Sequence, residues 1–259
     1  MNRMRITRSI APNLFTLVNL FMGFTAIIYT SNGRFFAAAM CILIAGIFDL
    51  LDGLVARLLN ATSEFGIELD SLCDAVSFGV APSYMLYKSF FYQFGDIGIL
   101  LASLPALGGV IRLARFNVQV NSYEDKKYFT GLAIPSGAFT IITYIVYYHQ
   151  TQLIPEIYKP LSIIAITIIT TLAMVSRIKF DNVPRPTIKN IKQKPVIFSI
   201  FIIGVLASIF TKGKFILPFM LFYIVASSIR HFYRWLKETP EAADDIDEGD
   251  SITENSYDI

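Results

Sequence analysis

The stretch 35-FFAAAMCILIAGIFDLLDGLVAR-57 is apolar from Phe35 to Phe48 and then carries two carboxylates, Asp49 and Asp52, before its first basic residue, Arg57. As a helix it is about 35 Å long, enough to cross the roughly 30 Å hydrocarbon thickness of a bilayer. Comparable runs lie near residues 13–30, 67–87, 97–117, 132–149, 158–176, 195–211 and 214–232. Backbone groups in lipid must be satisfied within their own segment, and these runs are too long and too evenly apolar for barrel strands. The expected fold class is therefore all-α, a polytopic membrane helix bundle of about eight transmembrane helices.

Composition agrees with this reading. Of 259 residues 54% are apolar and 16% charged, and the charges are confined to short stretches between the runs. A net charge of +2 gives no reason to expect nucleic acid as a partner. Cys41 and Cys73 both lie inside apolar runs with neither zinc nor disulfide spacing, and read as small packing residues. The first run lacks a small-x-small site after it, so no cleavable signal peptide is expected.

Placing the N-terminus in the cytoplasm puts 17 of the 22 basic residues on that side, leaving only Arg34, Lys88, Lys159, Lys212 and Lys214 outside. An odd number of spans destroys the asymmetry. The expectation is a multi-pass protein of the cell's inner membrane with both termini cytoplasmic. A membrane domain would cover 1–237, opening with a short interfacial helix over 1–12, where Arg3, Arg5 and Arg8 mix with Met4, Ile6 and Ile10. Residues 238–259 hold nine acidic and no basic residues and read as a disordered cytoplasmic tail. His149 and His231 fall at opposite faces and read as interfacial.

Four carboxylates sit where hydrocarbon is expected: Asp49 and Asp52 near the end of the second span, Asp70 and Asp74 near the start of the third. An unpaired Asp at depth costs on the order of 3 kcal/mol. The i,i+3 and i,i+4 spacings put each pair on one helix face, and the short connection 58–65 lets the helices run antiparallel, so all four can converge. Only Arg57, at the rim, is near enough in sequence to neutralise them. Oxygen-only ligation suits hard cations, Mg²⁺, Mn²⁺ or Ca²⁺, and four carboxylates suffice for a two-metal site. Gly53, Ala56 and Gly66 allow a ligand to approach the backbone, although small residues also serve helix packing. Beside the carboxylates they favour a phosphate-bearing ligand that Arg57 could meet.

The run Asp49-Leu-Leu-Asp52-Gly53-Leu-Val-Ala56-Arg57, followed after eight residues by Gly66-Ile-Glu-Leu-Asp70-Ser-Leu-Cys-Asp74, resembles the signature of the CDP-alcohol phosphotransferases at every fixed position. The resemblance implies metal bound by Asp49, Asp52, Asp70 and Asp74, with Asp74 also the catalytic general base on the incoming alcohol. It implies nucleotide and CDP-diacylglycerol binding around Asp52, Gly53, Ala56, Arg57 and Gly66, with Asn13 and Thr16 of the similar Pro12–Thr16 stretch lining the same pocket. A homodimer is a further implication.

Stretches 12–23, 70–79, 112–117 and 131–135 resemble the integral-membrane type of phosphatidylserine synthase, which implies L-serine as acceptor and phosphatidylserine and CMP as products. Arg112, Arg115 and Asn117 would then bind serine or the lipid phosphate; alternatively the two arginines are anchors snorkelling to headgroups. Ala133 stands where that resemblance leads us to expect proline, which implies a looser turn. Six basic residues between Arg177 and Lys194 read as a topology determinant and a patch for anionic membrane lipids. That loop keeps open a phosphorylated acceptor, glycerol 3-phosphate or inositol phosphate. A cation-coupled transporter is the rival outside enzymology, but the second half of the chain has no matching acidic pair.

Overall fold

A computed structural model describes residues 2–61, 63–120, 129–151, 153–180, 204, 207–208 and 210–249. The architecture is helical. Helix α1 (Asn2–Ser31) and α2 (Phe35–Leu58) form an antiparallel hairpin; α3 (Glu64–Asp74) runs through a π-helical turn (Ala75–Val80) into α4 (Ala81–Ser89). Then follow α5 (Gly95–Val120), α6 (Ile134–Tyr144) with a second π turn (Ile145–His149), α7 (Lys159–Val175) and α8 (Ile216–Gly249). Two short antiparallel strands, β1 (Phe129–Thr130) and β2 (Lys179–Phe180), join the entry of α6 to the exit of α7.

Five helical segments are long and apolar enough to cross a membrane: Ile10–Ser31, Phe35–Leu58, Phe91–Val118, Glu156–Val175 and Ile216–Tyr233. In none is more than about a third of the apolar window buried. The expected third and fifth spans are helical over 64–89 and 134–149, but are broken by π turns. Most of the expected seventh span, 195–211, lies outside the described residues, as does 181–194 of the basic loop.

Helix α1 shows why these segments pack as they do. Its buried positions, Pro12, Thr16, Asn19, Gly23, Ala26 and Thr30, alternate by four and three and so form one stripe of small and polar residues. Its large apolar side chains, Leu14, Phe21 and Phe24, are about three-fifths exposed on the other side. This inside-out distribution suits a lipid surround, in which close backbone approach and interhelical hydrogen bonds drive association. The apolar core beyond the site joins Ala26 and Ile42 to Phe78, Met85, Leu86, Ile141, Tyr144 and Ile163.

The structure differs from the sequence reading at several points. Residues 2–12 are continuous with the first span rather than a separate interfacial helix, although Pro12 lies within it. Helix α8 continues through Gly249, well into the acidic stretch expected to lack structure. Ala242 and Ala243 favour helix, and extending an existing helix avoids the cost of nucleation. His149 is buried against Phe90 and Tyr144, with ring centroids at 5.7 and 5.9 Å, so the protein itself covers its imidazole. Ala133 holds φ −60° and ψ 138°, the geometry proline itself adopts, so the turn is not distorted by lacking one.

Candidate metal centre

The connection between α2 and α3 fixes where the two carboxylate pairs meet. Helix α2 ends in a reciprocal cap: Asn60 takes a left-handed conformation, φ 48°, its N–H donates to Arg57 O at 3.2 Å, and Ala61 N–H donates to Ala56 O at 2.9 Å. Three residues later the Ser63 hydroxyl caps α3 by accepting from Gly66 N–H at 3.0 Å. Two capped ends separated by a few residues leave the helices little choice but to fold back as neighbours.

Asp49, Asp70 and Asp74 consequently present carboxylate oxygens that all lie within 4.8 Å of one another. Asp52 is beside them but held differently: Thr16 Oγ1 on α1 donates to its Oδ2 at 2.8 Å, and the same hydroxyl is 3.2 Å from Pro12 O. Asn19 Nδ2, one turn along α1, donates to Asp74 Oδ1 at 3.0 Å. Asp74 stands at the junction of α3 with the π turn, a distortion that recurs at functional sites. Within that turn Ser77 Oγ donates to the Asn19 backbone carbonyl at 3.0 Å. Gly23 makes this approach possible, because a methyl there would lie 2.7 Å from Ser77 Cα.

The donor set fits a divalent cation. Among the described residues no basic side chain is ion-paired with any of the four carboxylates; the ion pair found, Lys159 with Glu156 at 2.6 Å, is at the start of α7. Asp70 Oδ1 is buried without a hydrogen-bond partner among the described residues. Clustered carboxylates with an orphaned oxygen in a low-dielectric interior need positive charge, and hard cations take such oxygens.

The residues expected around the nucleotide fall near the α2–α3 connection and on the part of α1 beside it. A methyl on Gly53 would meet nothing nearer than Arg57 Nη2 at 3.9 Å, so the space above it is open. Arg57 Nε donates to Gly53 O at 2.8 Å, and the side chain is exposed. Gly66 sits where a methyl would touch Ser63 Oγ at 3.1 Å and Asn13 Oδ1 at 3.5 Å, which brings Asn13 to the start of α3. Ala56 supplies one of the carbonyls that end α2.

The three residues expected to bind the acceptor are not equivalent. Arg115 Nη1 donates to Val175 O at 3.1 Å and Ser176 O at 3.3 Å, capping the end of α7. The Asn117 amide faces Ser71, its Nδ2 donating to Oγ at 3.0 Å. Arg112 lies over the Phe116 ring at 5.6 Å and close enough to Asp74 for their charges to interact; its buried Nε has no partner among the described residues. Sequence reasoning missed Asn19, Ser71 and Ser77. The available signal was that Asn19 follows Thr16 by three positions in an otherwise apolar run, on the same helix face.

Residues 9–178 match the family described as CDP-alcohol phosphatidyltransferase. The chain is 36% identical over 232 residues to a CDP-diacylglycerol–serine O-phosphatidyltransferase of Helicobacter pylori (strain ATCC 700392 / 26695), covering 87% of this chain and 92% of the relative. It is 38% identical over 186 residues to an archaetidylserine synthase of Methanothermobacter thermautotrophicus, covering 71% and 75% respectively. A Bacillus subtilis relative, also named CDP-diacylglycerol–serine O-phosphatidyltransferase, is 31% identical over 182 residues, covering 70% of this chain and 96% of its own length.

Proposed function

Because the chain belongs to the CDP-alcohol phosphatidyltransferase family, we propose that it transfers the phosphatidyl group of CDP-diacylglycerol to the hydroxyl of L-serine, giving phosphatidylserine and CMP. The observation that carries the chemistry is the convergence of Asp49, Asp70 and Asp74 within 4.8 Å. The names of the relatives support the acceptor.

Asp49, Asp52, Asp70 and Asp74 hold divalent cations, Mg²⁺ or Mn²⁺, which when bound neutralise the diphosphate and stabilise charge on departing CMP. Asp74 takes the serine hydroxyl proton as the oxygen attacks the phosphorus bearing the diacylglycerol. A new P–O bond to serine forms, the P–O bond to CMP breaks, and the electron pair leaves with CMP. Gly53, Ala56 and Gly66 let the nucleotide approach α2 and α3, with Asn13 and Thr16 beside it and Arg57 meeting its anionic oxygens. Arg115 and Asn117 are engaged with the carbonyls of α7 and with Ser71, which leaves Arg112 as the guanidinium best disposed toward an acceptor.

The reading places the enzyme in the inner membrane as an eight-span homodimer, with both termini and the carboxylates on the cytoplasmic side. Positive charge concentrated on that side supports the orientation. The deciding experiment measures CMP release by detergent-purified protein given CDP-diacylglycerol and Mg²⁺ or Mn²⁺, with serine, glycerol 3-phosphate or inositol phosphate as sole acceptor. Serine-dependent release is expected. Release only with a phosphorylated acceptor overturns the acceptor assignment, and no release with any acceptor overturns the reaction.

A further inference from the structure

Two buried polar atoms flank Asp74, and they are of opposite hydrogen-bonding sense. Asn19 is wholly buried on α1, and its Nδ2 is committed to Asp74 Oδ1 at 3.0 Å. A carboxylate oxygen can only accept here, so the amide must present its NH₂ to Asp74 and turn its oxygen away. That oxygen, Asn19 Oδ1, has no hydrogen-bond partner among the described residues. On α5, Arg112 interacts with the charge of Asp74, and its buried Nε also has no partner among the described residues.

An orphaned buried group costs about 1–3 kcal/mol, and two beside one carboxylate are poorly explained as packing accidents. Asn19 is also held rigidly. Ser77 Oγ grips its backbone carbonyl at 3.0 Å, three residues beyond Asp74 on the same chain, and Gly23 lets the two helices touch at that point. The backbone at Asn19 is thereby pinned against the π turn that carries Asp74 onward, and the amide is committed to Asp74 through Nδ2.

We propose that Asn19 Oδ1 and the Arg112 guanidinium are the two poles of an acceptor subsite beside Asp74, reading respectively the ammonium and the carboxylate of a zwitterionic hydroxy-amino acid. The unpaired acceptor calls for a cationic N–H donor, and the unpaired Arg112 Nε for an anionic acceptor such as a carboxylate. Both neighbour Asp74, the group to which the hydroxyl of such a molecule would give its proton. The subsite rests on the transferase reading above. It adds that selection of serine is enforced by leaving one pole unpaired when the wrong alcohol enters.

The test uses the full-length protein and three acceptors: L-serine, 3-hydroxypropionate, which lacks the ammonium, and ethanolamine, which lacks the carboxylate. Ratios of kcat/KM cancel any loss common to all acceptors. Asn19→Leu is expected to lower the serine to 3-hydroxypropionate ratio about tenfold or more, and Arg112→Gln to lower the serine to ethanolamine ratio similarly. Asn19→Asp keeps an acceptor toward the ammonium but loses the donor to Asp74. It should preserve the first ratio within about threefold while kcat falls about tenfold or more. Ratios unchanged in both Asn19→Leu and Arg112→Gln overturn the subsite; if Asn19→Leu does not fold, Arg112→Gln alone decides. Wild-type protein that ignores serine but uses a phosphorylated acceptor overturns the serine assignment on which the subsite rests, while leaving the transfer reaction standing, before any variant is made.

Discussion

Thr16 donates to Asp52 Oδ2 at 2.8 Å across 36 positions of sequence, and both groups are buried. The bond makes α1 a wall of the carboxylate site, so a residue outside the family signature bears on how Asp52 is held. We expect Thr16→Val, which keeps the shape and removes the hydroxyl, to lower stability by about 1–3 kcal/mol. Metal titration of activity should show half-saturation at about tenfold higher concentration, while Thr16→Ser stays near wild type. An unchanged metal requirement in Thr16→Val would show that Asp52 does not depend on this bond.

Asp74→Asn is expected to reduce transfer by about a thousandfold or more while CDP-diacylglycerol binding is largely kept, because an amide cannot take the hydroxyl proton. Asp49→Asn should weaken metal and nucleotide binding together. Equilibrium binding of radiolabelled CDP-diacylglycerol, with and without Mn²⁺, separates the two. Equal loss of binding in both variants would end the division of roles.

Two glycines give opposite expectations for the same substitution. Gly53→Ala meets open space and gains about 1 kcal/mol of helix propensity, so the protein should melt at the same temperature or higher. Its KM for CDP-diacylglycerol should nevertheless rise about tenfold, since the methyl enters the nucleotide approach. Gly23→Ala drives a methyl into the Ser77 backbone and should cost about 1–3 kcal/mol in thermal stability. Retained substrate affinity in Gly53→Ala would remove the nucleotide from that face.

Ala133→Pro should stabilise the protein by about 0.4–1 kcal/mol, since the residue already has proline's φ and its loss of freedom would fall on the unfolded chain. A thermal melt in detergent reads this directly; a lower midpoint would mean the ring clashes with Leu132 or its neighbours.

The carboxylate cluster was legible in the sequence because charge in an apolar run is an anomaly that demands a cause, and its spacing already implied convergence. Asn19 was not legible for the opposite reason: one amide in an apolar span violates no rule strongly enough to stand out, and its partner lies 55 positions away. Arg115 shows a different limit. A guanidinium near anionic chemistry invites a binding role, yet here Nη1 closes the carbonyl end of α7, a demand that exists only once α5 and α7 are side by side. The π turns also escaped prediction, because the hydrophobic pattern over 67–87 continues through Ala75–Val80 and the extra residue shows only in backbone geometry.

The polar stripe of α1 has a bearing on biosynthesis. Asn19 leaves the ribosome 55 residues before Asp74, an interval of about 3–11 s at ordinary elongation rates. During it the first span would sit in lipid or at the translocation machinery with its amide and the Thr16 hydroxyl unmatched by the partners they later acquire. We expect nascent chains stopped short of Asp74 to hold their first span loosely, measurable as alkaline or urea extraction, and chains stopped beyond Ser77 to hold it firmly. The groups that surround the carboxylates would then serve the cell twice: first as the latch by which an incompletely apolar segment is retained, and only afterwards as the wall of a reaction chamber.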